Sequence, residues 1–281
     1  MLLLALSLSA LAVPQGTDTT VPVGSASRLE LSSQEGTIRV TVWDRDKIRI
    51  QADHDEDTRV DVDASARTLH LSAHARYGPS EVDWRLTIPK TMAVELSSME
   101  GDVEVSGSRG EVSVNTTEGN ITVTGGVSRI SLQSVEGDVA LSDANGRIEV
   151  STVDGTITIR DVTGELEVSA TDGDLTLENV DVTDLDASTV DGDIGFSGPV
   201  RQGGRYRLSS HDGDVTVTSP TIDAEVSVST FSGDFDSDYP VSLSGSQHRR
   251  RMHFSLGRGG ARLDLESFDG TVALRKGSAR Q

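Results

Sequence analysis

The stretch Asp154–Leu177, DGTITIRDVTGELEVSATDGDLTL, states nearly the same phrase twice. Each phrase holds an acid-glycine or threonine-glycine corner, then apolar residues two apart with polar residues between them. That alternation is the mark of a half-buried strand. Aligning the chain on the corner glycine extends the repeat to Gly36, Gly101, Gly119, Gly137, Gly155, Gly173, Gly192, Gly213, Gly233 and Gly270. From Gly101 to Gly173 the spacing is 18 residues throughout, and it then loosens to 19, 21 and 20. A fixed period of this length is the signature of a repeat architecture.

Within each period, apolar pairs stand seven and five residues before the glycine, as in Ile148/Val150 and Leu166/Val168, and two and four after it, as in Ile157/Ile159. Each period therefore contains two short strands and two turns. Strands this short leave their apolar face and backbone groups unsatisfied unless equivalent turns of chain stack on one another. The expected fold is all-β: a single-domain β-solenoid with rungs of about 18 residues, each holding two short strands. No proline occurs from Thr91 to Gly198, where it would delete ladder hydrogen bonds. Three residues before the corner glycine a hydroxyl recurs in nine copies of ten, with Ala170 the exception. Strand parity turns it inward, which predicts a Ser/Thr stack whose hydroxyls bond each other or the turning backbone.

The flanks are less regular. The opening MLLLALSLSALAVPQ is too short for a membrane span, and Ala10-Leu11-Ala12 has the small-x-small form of a cleavage site, so residues 1–12 read as a signal peptide and 13–281 as one exported domain. The alternating runs of residues 41–93 read as an antiparallel cap region, 94–240 as the regular rungs, and 241–281 as a long hairpin followed by a closing rung.

Composition agrees with a thin core, since only 4% of residues are aromatic while 28 are glycine. The formal net charge of −20 disfavours nucleic acid and anionic lipid as partners. The chain has no cysteine, which excludes disulfides, thiolate metal sites and a cysteine nucleophile. Acidity is concentrated on the rungs: Val94–Pro240 carries 29 Asp and Glu against 7 Arg and no Lys. In-register turns place Glu136, Asp154, Asp172, Asp191 and Asp212 in one ladder and Asp138, Asp174, Asp193 and Asp214 in another. Two readings of these acids stand, turn formers on a solvated face and ligands of a divalent cation such as calcium. Two residues before the glycine, His211, Phe231 and Phe268 occupy the outward side of three late copies and would stack on consecutive rungs, and two readings stand: they lie under a capping segment formed by residues 241–257, or they form an exposed platform for a sugar ring or a partner. The histidines show no metal-ligand spacing, and no nucleophile elbow or phosphate-binding loop is present.

Residues 83–107, DWRLTIPKTMAVELSSMEGDVEVSG, followed by iterated DGD units, resemble the bacterial putative-adhesin family of β-strand-repeat proteins, a domain of unknown function. The resemblance implies a strand-repeat fold over nearly all of the chain and offers no catalytic residues. The expected function is therefore a non-catalytic, adhesin-like binding scaffold of the cell envelope, partnered by an envelope protein or a glycan. The alternatives are a structural, calcium-binding envelope protein and, third, a polysaccharide-acting enzyme.

Overall fold

The computed structural model describes residues 16–24, 26–65, 67–241 and 251–277, and among them there is no helix. The strands form two 13-stranded sheets. Successive coils run up one sheet, turn at the corner glycine and return in the other. In the coil of Gly155, strand Asn145–Ser151 turns Ile148 and Val150 inward and strand Ile157–Arg160 turns Ile157 and Ile159 inward, all four buried. The next coil repeats this in strict register, with Ile148 paired to Leu166 and Ile157 to Leu175, both parallel. The inward residues of both sheets merge into one continuous apolar cluster that runs the length of the rod. Sheets facing each other at about 10 Å leave room for one pair of side-chain layers, which is why Val, Ile and Leu suffice and large aromatics are few. Thirteen strands at about 4.8 Å give a rod on the order of 58 Å long.

The corner demands glycine for two reasons. Gly137 has φ = 141°, a conformation that side chains of the L hand rarely adopt, and a Cβ on it would sit 2.3 Å from the carbonyl oxygen of Gly119 one coil back. At the opposite corner Asp143, Asp161 and Asn179 take φ of 54–56°, the left-handed region that short polar side chains tolerate.

Coil order departs from chain order at both ends. The coil of residues 68–89 stacks outside the coil of Gly36, with Leu29 paired to Leu69 and Ile38 to Trp84, both parallel. The Gly36 coil thus lies between two coils that follow it in sequence. Of the runs in residues 41–93, Lys47–His54 and Thr58–Ala64 run antiparallel to their neighbours, while Thr68–Ala75 and Val82–Pro89 form that parallel coil. At the other end, Ala261–Lys276 does not close the rod. It is inserted between the coils of Gly213 and Gly233, because Ala261–Asp269 is long enough to pair fully on both sides, whereas the second strand of the Gly233 coil, Phe235–Ser237, has three residues and suits an edge. Strand Arg251–Leu256 then runs antiparallel along Ala224–Thr230 rather than folding back on itself. Residues 1–12 and the basic pair Arg249-Arg250 lie outside the described residues.

Candidate functional site

The corner that carries the glycines presents three adjacent columns of side chains. The first stands one residue before the glycine. Register places Glu35, Glu100, Glu118 and Glu136 in line, and parallel bridges continue the column through Asp154, Asp172 and Asp191 to Asp212 and Asp269. Among the described residues no Arg, Lys or His lies within ion-pair distance of any of these carboxylates.

The second column stands one residue after the glycine and its side chains are engaged by backbone. Strand pairing uses the amides of Gly137 and Val139 toward the following coil, which leaves the amide of Asp138 pointing backward. That amide donates to Asn120 Oδ1 at 2.9 Å, and Asp138 Oδ1 in turn accepts from the amide of Thr156 at 2.8 Å. The same link joins Asp174 to the Asp193 amide, Asp193 to the Asp214 amide and Asp214 to the Thr271 amide at 2.7–2.8 Å. Asp83 starts the column by accepting from both the amide and the hydroxyl of Thr37, and these hydrogen bonds hold its carboxyl below the usual range. An asparagine serves as well as an aspartate in this role, so the column needs an acceptor and not a charge. Of the predicted ligands, Asp138, Asp174, Asp193 and Asp214 thus spend one carboxylate oxygen on the fold, whereas Glu136, Asp154, Asp172, Asp191 and Asp212 stand in the outer column. Among the described residues no three carboxylate or imidazole groups converge as a metal ion requires.

Beneath the corner, the inward hydroxyls other than that of Ser98 bond the turning backbone and not each other. Thr189 donates to the carbonyl of Gly173 at 3.1 Å, and Ser210 and Ser267 donate to those of Gly192 and Gly213, each at 2.8 Å.

The third column stands two residues before the glycine and points outward. His211, Phe268 and Phe231 stack in that order, because the coil of Phe268 is inserted between the other two. Ring centroids are 4.7 Å apart for His211 and Phe268, and 4.6 Å for Phe268 and Phe231, with interplanar angles of 21° and 4°. Phe231 and Phe268 are 49% and 43% exposed, and beside them lies an open concavity lined by Ser229, Thr230, Arg251 and Glu266. The same column continues down the rod through Val190, Val153, Val135 and Met99, exposed by 45–62%. The signal was available, since each stands two residues before a corner glycine.

The remaining polar groups serve the scaffold. His70 pairs with Glu30 and His54 with Thr17, away from the corner. Tyr206, almost wholly buried, donates to the carbonyl of Val182 at 2.7 Å and accepts from the amide of Arg201 at 2.8 Å, so burial pushes its phenol above the ordinary value. No helix among the described residues is long and apolar enough to cross a membrane.

Comparison with known proteins places these features in a family. A search of curated proteins finds no match. A solved structure described as a putative cell adhesion protein from Clostridium sporogenes aligns over 94% of this chain and 99% of its own, at 9% identity and a TM-score of 0.26. The sequence profile of Toastrack DUF4097, a family of unknown function, matches residues 26–275, from the first buried coil to the last. Matched over most of its length, the chain belongs to the Toastrack DUF4097 family.

Proposed function

We propose that the protein is a non-catalytic binding scaffold of the cell envelope, exported by its N-terminal segment, whose rigid rod presents columns of side chains to a protein or glycan. The observation that carries this reading is the stack of His211, Phe268 and Phe231, aromatic surface left in solvent at one end of the corner. Soluble proteins rarely leave contiguous apolar area open without a use for it. Catalysis has less support, because among the described residues the carboxylates of the corner stand in columns with no basic partner and the chain carries no nucleophile elbow or phosphate-binding loop. The test is capture from an envelope extract of the source organism: full-length tagged protein is cross-linked to what it retains, beside a Phe268→Ala variant. A specific protein or polysaccharide retained by the parent and lost from the variant is expected. Equal retention by both would remove the aromatic stack from the reading, and nothing above background would remove the scaffold.

A second reading, a rod tuned by divalent cations, is favoured by one observation: the outer carboxylates repeat at each rung with no basic partner among the described residues. On that reading calcium raises the melting midpoint relative to EDTA, and identical midpoints exclude it.

A further inference from the structure

The apolar column does not end with the aromatic stack. It passes without a break in register through Phe268, His211, Val190, Val153, Val135 and Met99, each exposed, with Thr171 and Thr117 in the intervening coils. Eight coils at about 4.8 Å make a stripe on the order of 34 Å long and one side chain wide. Along one side runs the outer acid column, among it Glu118, Glu136, Asp154, Asp172, Asp191 and Asp212, with no basic partner in the described residues. On the other side the flank is uncharged over most of its length, as at Ser97, Asn115, Gln133, Ser151, Ser169 and Ser188. The corner is therefore apolar in the middle, negative on one edge and neutral on the other.

We propose that this corner docks a basic amphipathic helix of another polypeptide, laid along the rod axis. The inference rests on the scaffold reading and names the partner's chemistry. Apolar residues of the helix would cover the valines and the rings, and its Lys and Arg would face the acid column. The occupant is helical for two reasons. The corner coils between Gly101 and Gly213 have a neighbour on each side in both sheets, so an incoming strand finds no free ladder to extend there. In addition, helix turns recur at about 5.4 Å, near the coil spacing of about 4.8 Å, whereas same-face residues of a strand recur at about 6.8 Å. A helix of about 22 residues would span the stripe. A second copy of this chain is a poor occupant, since apposing two corners would bring two acid columns together.

The test uses the full-length protein and a fluorescent 22-residue Leu/Lys amphipathic peptide as the probe. Two controls accompany it, the same peptide with Glu for Lys and one of the same composition interrupted by proline. The helical basic peptide is expected to bind and to weaken with salt, while both controls bind at least about tenfold less tightly. Replacing Val135, Val153 and Val190 with Ser should weaken binding at least about tenfold with the charge unchanged. The matched charge control, Glu149→Gln with Glu167→Gln and Asp186→Asn, removes three acids from the outer sheet face and should leave binding within about twofold. Because the three valines are exposed, circular-dichroism melts are expected to be unaltered. Should the triple variant melt early, Glu118→Gln with Glu136→Gln and Asp154→Asn replaces it. Equal losses from the corner variant and the charge control would overturn the proposal, as would equal binding of the proline peptide or none of the basic one. Failure of the probe beside successful capture from the envelope would remove the helix and keep the scaffold.

Discussion

The hydroxyl of Thr152 donates to the carbonyl oxygen of Gly137, one coil back, at 3.2 Å. The same bond is made by Ser134, Thr189, Ser210 and Ser267, while Ser33, Thr116 and Thr230 donate to a carbonyl of their own corner, and two positions make neither bond. Ala170 has no hydroxyl to offer, and the hydroxyl of Ser98 is buried without a partner. Ala170→Ser should restore a bond to the backbone of the preceding corner and stabilise the fold by about 0.5–1.5 kcal/mol. Ser98→Ala, which removes an unsatisfied group, should be neutral or slightly stabilising. Urea unfolding of both variants checks the pair, and a loss of stability in Ser98→Ala would show that its hydroxyl is satisfied in solution.

Corner glycines should be among the least replaceable positions. In Gly155→Ala the new Cβ would meet the carbonyl oxygen of Gly137 at 2.3 Å on a backbone with φ = 145°. Neither strain can be relieved without moving two coils. The expected loss is about 2–4 kcal/mol by urea unfolding, while an alanine at Gly203, where a Cβ meets nothing within 4 Å, should cost about 1–2 kcal/mol for its positive φ alone.

The inner column should tolerate loss of charge and not loss of the acceptor. Asp138→Asn keeps an oxygen for the Thr156 amide and should change stability by less than about 0.5 kcal/mol. Asp138→Ala leaves that amide to water in a half-buried turn and should cost about 1 kcal/mol. Equal effects of the two would mean that charge, and with it a cation, matters at this position.

Acid should weaken the N-terminal end through Asp83. Its carboxyl is held below the usual value of 3.8 by the amide and hydroxyl of Thr37, so the ionised form is favoured in the folded protein. A depressed value adds stability that is fully present above the unfolded carboxyl's pKa and is lost as pH falls below 3.8 toward the folded value. Asp83→Asn should flatten that part of the curve of stability against pH, measured by urea midpoints from neutral pH downward. An unchanged slope would place the acid sensitivity elsewhere.

Much of the coil was legible because its rules are local. Ile148 and Val150 declare an inward face by parity, and Gly155 declares a corner by what precedes and follows it. Coil order was not legible for the same reason. Strands such as Arg205–Asp212 and Ala261–Asp269 offer the same register to any neighbour, so periodicity cannot say which one stands beside which. The site divided along similar lines. His211, Phe231 and Phe268 stand out by residue type, whereas Val135 or Val153, taken alone, is an ordinary outward valine in a strand. Only the column makes it a surface. The role of Asp138 was hidden more deeply, because the need for an acceptor there arises from the backward-pointing amide of the following coil, a fact of geometry without a trace in residue spacing.

The placement of Ala261–Lys276 inside the stack bears on how the rod would meet tension. A pull on the C-terminal end does not peel an outermost coil bond by bond. Strand Val272–Lys276 has a parallel neighbour on each side, so a force along it is shared by two ladders and resisted in shear. Among the described residues the first strand, Gly16–Pro22, has one neighbour, the antiparallel Lys47–His54, and would yield first. The same rod would thus be soft when drawn from one end and stiff when drawn from the other.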